Sequence, residues 1–134
     1  MLLFPRMFYQ EQLGSTSFFR FRELENIPGF VHLFTCRPAD SVMTDAGKSD
    51  EVAPPERMLL ESLGVELEQL IFLRQMHSAR VVSHQPTFST GCRVTEVESA
   101  DGVITLSHGQ FPVIRTADCL PILIILPEQR RLCA

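Results

Sequence analysis

Apolar residues along this chain cluster in short β-forming runs divided by polar breaks, with one stretch of helical spacing. The sharpest pattern lies over 111–126, FPVIRTADCLPILIIL. Runs at 111–115 and 122–126 flank the break Thr116-Ala117-Asp118-Cys119. The second run is uninterrupted Ile and Leu, which predicts a strand buried on both faces. It is far too short to span a bilayer. The break puts a thiol and a carboxylate on a tight bend between stiff strands, where side chains can reach a cleft.

Further strands are expected around Phe18, Phe19 and Phe21, over 30–36, 71–75, 79–83 and 100–106, and again from Arg131 onward. Asn26-Ile27-Pro28-Gly29 signals a turn. Ser107-His108-Gly109-Gln110 reads as a hairpin turn, and residues 85–99 as a polar, turn-rich connection. Residues 39–55 are small, polar and acidic, without apolar period, as in a flexible loop. Over 55–63, Met58, Leu59, Leu60 and Leu63 share one side of a helix, with Pro at its start and Gly64 past its end. Together these predict one α/β (α+β) domain over residues 1–134, with mixed strands and few helices. The run from Arg131 is shorter than a usual buried strand, so the domain is expected to be incomplete at its C-terminus.

Composition changes little in this picture. The 134 residues suffice for a core, and 45% hydrophobic with 21% charged residues is ordinary for a globular domain. A net charge of −4 and no basic cluster argue against a nucleic-acid or anionic-membrane surface. Lys48 is the single lysine, so arginine, suited to bidentate capture of phosphate or carboxylate, carries the positive charge. Cys36, Cys92, Cys119 and Cys133 form no CxxC pair, and the opening MLLFPRMF has too short an apolar run for a secretory signal. Reduced thiols in a cytoplasmic setting are the expectation.

Cys119 suits two readings, a small apolar residue at a strand entrance or a nucleophile or metal thiolate. His77, at the polar break Gln75-Met76-His77-Ser78, is either a solvated loop histidine or the partner of that thiol. His32, His84 and His108 read as ordinary solvated histidines, and Asp101, in Ala-Asp-Gly, as a turn-former. No P-loop, GxGxxG, HExxH or nucleophile elbow is present.

Three segments, taken in order, resemble one family. Gln75-Met76-His77-Ser78 is similar to a Gln-x-His-Gly/Ser element, and Ala100-Asp101-Gly102-Val103-Ile104-Thr105 to an Asp-Ala-hydrophobic-x-Thr strand. Thr116-Ala117-Asp118-Cys119-Leu120-Pro121 is similar to a Thr-Ala-Asp-Cys-x-Pro signature. Residues 29–37, GFVHLFTCR, resemble an early His-x-Phe-(Ser/Thr)-x-Arg strand. These mark the YfiH-like family, labelled laccase-domain or polyphenol oxidase proteins.

The resemblance implies a YfiH-like fold and a purine nucleoside phosphorylase with adenosine deaminase activity. It implies zinc held by His77, Cys119 and a further His that falls at or just beyond residue 134. Asp118 would assist at the catalytic centre, and Gln75 and Arg37 would face substrate, a purine nucleoside with phosphate. A catalytic zinc takes three protein ligands and one open position. A non-enzymatic remnant, and a Cys–His hydrolase with Cys119 as nucleophile and His77 as base acting on a cell-wall precursor amide, are the alternatives. A sheet cut short would also leave an edge suited to self-association.

Overall fold

The structure, a computed structural model, describes residues 7–14, 16–35, 54–85, 95–116 and 118–134. It is a mixed α+β protein, with few helices and three small sheets among the described residues. The chain divides into two compact units, one holding the described residues up to Leu63 and the other those from Gly64 onward.

The first unit is built on a hairpin. Strands β1 (Phe8–Leu13) and β2 (Thr16–Phe21) pair antiparallel from Phe8↔Phe21 to Leu13↔Thr16. Gly14 sits at the reversal with φ +58°, a conformation that glycine adopts without steric cost. The short helix α1 (Arg22–Glu25) follows, and β3 (Phe34–Thr35) joins the other edge of β2. Helix α2 (Pro54–Ser62) contributes Leu59, fully buried, while Phe18 of β2 is buried as well. Met58, expected on the same apolar side as Leu59, is instead exposed. Of the run expected over 30–36, only Phe34 and Thr35 form a strand, and Cys36 lies outside the described residues. The expected loop over 39–55 lies outside them too as far as residue 53, and Pro54 already begins α2.

His32 departs from expectation. It is buried, stacked on Phe30 at 5.6 Å and tilted against Phe21 at 6.2 Å. Its Nε2 accepts the Phe21 backbone N–H at 2.7 Å. An aromatic-rich hairpin leaves no room for a solvated ring there. Removal from water, and then the nearby Arg20 guanidinium, lower the His32 pKa below its ordinary value, with Glu25 opposing.

The second unit contains two sheets. In one, β4 (Leu70–Arg74) lies centrally between β6 (Thr95–Ser99) and β8 (Phe111–Val113), parallel to both. In the other, the order is β5 (Val81–His84), β7 (Gly102–Thr105), β10 (Arg131–Cys133), β9 (Ile124–Leu126). Strands β5 and β7 are parallel, and the β10 pairings are antiparallel. The chain therefore passes from the first sheet to the second three times, through 75–80 between β4 and β5, through Ala100-Asp101 between β6 and β7, and again between β8 and β9. Ile71, Leu73, Ala100 and Val103 form the core cluster where these strands meet, with Val82 and Ile114 packed on it.

Three expectations change here. The strand buried on both faces is β4, whose Leu70, Ile71, Phe72 and Leu73 are all buried, because it is central in its sheet. The Ile/Leu run at 122–126 becomes the edge strand β9, with Ile124 and Leu126 exposed. Residues 107–110 do not close a hairpin, since β7 and β8 belong to different sheets. Strand β6, in addition, occupies the end of what read as a connection.

Register extends the exposure of β9 across its sheet. Ile124 lies opposite Cys133, Cys133 opposite Ile104, and Ile104 beside Ser83, while Val81 lies beside Gly102. Side chains at paired positions share a face. That face carries Val81, Ile124 and Leu126 exposed, whereas Val103 on the opposite face is fully buried. Leu120 and Ile122, just before β9, are 84% and 67% exposed. A bare apolar strip of this kind is expected to be adhesive. Replacing Ile122 and Ile124 together by lysine is expected to shift folding stability by no more than about 0.5 kcal/mol per site. Binding of a hydrophobic dye and light scattering at high protein concentration should both fall. Unchanged scattering and dye binding would show that the strip is not an adhesive surface.

Candidate functional site

Parallel strands send their following loops out at a common edge, and ligand sites on such sheets gather there. In the sheet β6-β4-β8 that edge receives three segments. Residues 75–80 follow β4, Ala100 and Asp101 follow β6, and residues 114–119 follow β8. His77 belongs to the first segment, Asp118 and Cys119 to the third. The two residues singled out from sequence thus emerge from adjacent strands at one end of one sheet.

Gln75 ties their loops together. Its Nε2 donates to the Arg115 carbonyl at 2.9 Å, and the Arg115 backbone N–H donates back to Oε1 at 2.9 Å. This reciprocal amide pairing continues the β4–β8 ladder past the last strand residues with a side chain. Gln75 therefore has a structural task beside the substrate contact expected of it. The Arg115 guanidinium lies over the Phe72 ring, 5.1 Å from its centroid, a cation–π contact that lays the side chain back across the sheet.

The His77 loop has an unexpected organiser. Asp101 Oδ1 accepts the backbone N–H groups of Met76 at 3.0 Å and His77 at 2.9 Å. Its Oδ2 accepts the Ser78 N–H at 2.7 Å and the Ser78 hydroxyl at 2.6 Å. The Ser78 oxygen in turn accepts from the Arg80 N–H at 3.2 Å. A run of consecutive amides converging on one carboxylate forms a small anion nest. These bonds, the Ser78 hydroxyl first, hold the Asp101 carboxyl below its ordinary pKa. His77 sits inside the nest with φ +57°, in the left-handed region that non-glycine residues rarely occupy. Sequence reading gave Asp101 only a turn, because its partners lie more than twenty positions away. The signal available was the pairing of a Ser two residues before Arg80 with an Asp at the start of a strand, which by itself is too common to single out.

Cys119 is exposed and its thiol is free, as is that of half-buried Cys133. Asp118 is exposed beside it. Arg37 and Cys92 lie outside the described residues. His84, half-buried in β5, has its pKa lowered by burial. His108 stays in its turn, where Nε2 accepts from Arg130 Nη1 at 3.2 Å. Among the described residues no three His, Cys, Asp or Glu side chains gather closely enough to hold a metal ion. An imidazole and a thiolate are suitable donors for zinc or copper. Two such donors do not complete a three-ligand centre, so the described residues alone do not fit one.

The edge also shows how the resembled strand 100–105 is used. A Cβ on Gly102, where that strand carries alanine, would stand 3.0 Å from Val81 Cγ2 and 3.4 Å from the Ala134 carbonyl oxygen. The glycine lets β5 and β10 approach β7 closely on either side.

No curated protein and no solved structure matches this chain. Among the described residues no helix is long and apolar enough to cross a membrane. The family model of the multi-copper polyphenol oxidoreductase laccases matches residues 39–134, which takes in His77, Asp101, Cys119 and both sheets of the second unit. The chain therefore belongs to this YfiH-like, laccase-domain family.

Proposed function

We propose that this chain serves the purine nucleoside chemistry expected of its family, phosphorolysis with adenosine deamination. In this reading His77 and Cys119 are two zinc ligands, and the third donor comes from outside the described residues. One observation supports the reading above the others. The loops bearing His77 and Cys119 leave neighbouring parallel strands at one edge and are tied by the Gln75–Arg115 amide pairing.

The chain's own residues have defined tasks in this reading. The β4–β8 pair presents an imidazole and a thiol from a stiff base, and Gln75 keeps the two loops in register. Asp118 borders the thiol, and Arg37, by its bidentate guanidinium, suits the phosphate co-substrate. Phosphorolysis breaks the N-glycosidic bond as a phosphate oxygen bonds the anomeric carbon, and the purine leaves with the electron pair and takes up a proton. The reading places the protein in the cytoplasm, with purine nucleoside and phosphate as its small-molecule partners.

Zinc titration against a competing chelator tests the ligand assignment. His77→Ala and Cys119→Ala are each expected to weaken zinc binding by about tenfold or more. Equal affinity in wild type and both variants overturns the assignment. Inosine or adenosine turnover with phosphate tests the activity. A metal-free, Cys119-dependent cleavage of amides would replace this reading with that of a Cys–His hydrolase.

A further inference from the structure

We propose that Asp101 is a positioning residue for His77, its carboxylate setting the backbone of 76–78 and through it the direction of the imidazole. The usefulness of that direction rests on the functional reading above; the clamp itself does not.

Three observations carry the inference. First, the bonds are complete and short. Both carboxylate oxygens are used, each accepting two donors, at 2.6–3.0 Å. Charge-assisted bonds of this kind are about twice as strong as neutral ones. Secondly, Asp101 is itself fixed to the sheets. Its N–H and that of Gly102 both donate to the Arg80 carbonyl, at 2.9 and 3.2 Å, and Ala100 N–H donates to the Arg74 carbonyl at 3.2 Å. Ala100, immediately before it, is fully buried in the core cluster. The carboxylate is thus referenced to the junction of two sheets, and it transfers that reference to an exposed loop.

Thirdly, the loop needs such a reference. His77 holds a left-handed backbone that a non-glycine residue keeps only where its surroundings impose it. Met76, His77 and Ser78 are all exposed, so packing does not impose it. Without the carboxylate, three adjacent N–H groups turn to water, φ at His77 returns to negative values, and the ring takes another direction. An anion two strands from the thiol thereby governs which way the imidazole faces.

The test uses the full chain, isotope-labelled, with Asp101→Ala, Asp101→Asn and Ser78→Ala. Three quantities are read: amide hydrogen exchange at 76–78, the ring resonances of His77, and zinc affinity. In Asp101→Ala, exchange at these three amides should accelerate by about tenfold or more, with the His77 ring signals shifted and zinc affinity reduced by about 10–100-fold. The thermal midpoint should stay near wild type. Asp101→Asn keeps one acceptor oxygen for Met76 and His77 and should restore part of the protection. Ser78→Ala removes one of four bonds, should act in the same direction more weakly, and serves if Asp101→Ala does not fold.

Unchanged exchange and unchanged ring signals in a folded Asp101→Ala overturn the proposal. So does faster exchange with the His77 ring unmoved, since the clamp would then hold backbone alone. If exchange and ring signals respond while even the wild-type chain binds no zinc, the positioning role stands and the metal assignment falls.

Discussion

Replacing Ile71 by alanine is expected to destabilise the second unit by about 2–5 kcal/mol, the largest effect of any single truncation considered. Ile71 is 2% exposed and lies in β4, the central strand of its sheet, in a cluster with Leu73, Ala100 and Val103. Neighbours held in paired strands on both sides cannot move in to refill the lost volume, so a cavity term adds to the lost transfer energy. The chain contains no tryptophan, so far-ultraviolet circular dichroism in urea is the suitable probe. Ile71→Val, which removes one methylene, should cost about 0.5–1.5 kcal/mol. A loss of less than about 1 kcal/mol in Ile71→Ala would contradict the placement of β4 at the centre of the core.

The second large effect is expected at His32. With Nε2 accepting the Phe21 N–H, the neutral ring carries its proton on Nδ1, which is buried and has no hydrogen-bond partner. Protonating the ring would set a donor against the Phe21 donor and place a charge beside Arg20. The sign follows from the lowered pKa. The unfolded chain takes up a proton more readily than the folded one, so the His32 contribution is fully present above the ordinary histidine pKa of about 6.5. It is lost as pH falls below that value towards the lowered folded one. Tyr9, the single tyrosine, lies in this unit and reports on it by fluorescence. Its urea midpoint should fall between pH 7.5 and pH 5. Gln at position 32 offers a non-titrating acceptor and should flatten that dependence. His32→Ala, which leaves the Phe21 N–H without its acceptor and opens space between Phe21 and Phe30, should cost about 2–4 kcal/mol at neutral pH. A midpoint independent of pH in the wild type would contradict the buried, neutral ring.

Much of the fold was legible in the sequence where its elements are local. The β4 and β7 strands, helix α2 and the bend before Cys119 each announce themselves by a run of side chains of one kind. What sequence hid was set by neighbours rather than by the run itself. Residues 122–126 carry the pattern of a buried strand, yet β9 stands at an edge because its other side has no partner among the described strands. Thr95-Glu96-Val97-Glu98-Ser99 carries too much charge to suggest a strand, but pairing with β4 makes it one. The hydroxyl and amides that engage Asp101 lie far away in sequence, and no short-range pattern marks them. His77 and Cys119 were legible as residue types. That their loops share one edge follows only from the parallel order β6-β4-β8.

The order β5-β7-β10-β9 has a consequence for assembly. Strand β9 precedes β10 in the chain yet touches β7 only through it, with Val103 and Ala134 exchanging backbone bonds at 2.8 and 3.1 Å. In folding, β9 therefore joins this sheet only when Arg131–Cys133 has paired with β7. Until then the Ile/Leu run has no strand partner in this sheet, so β9 takes its place together with β10 rather than before it.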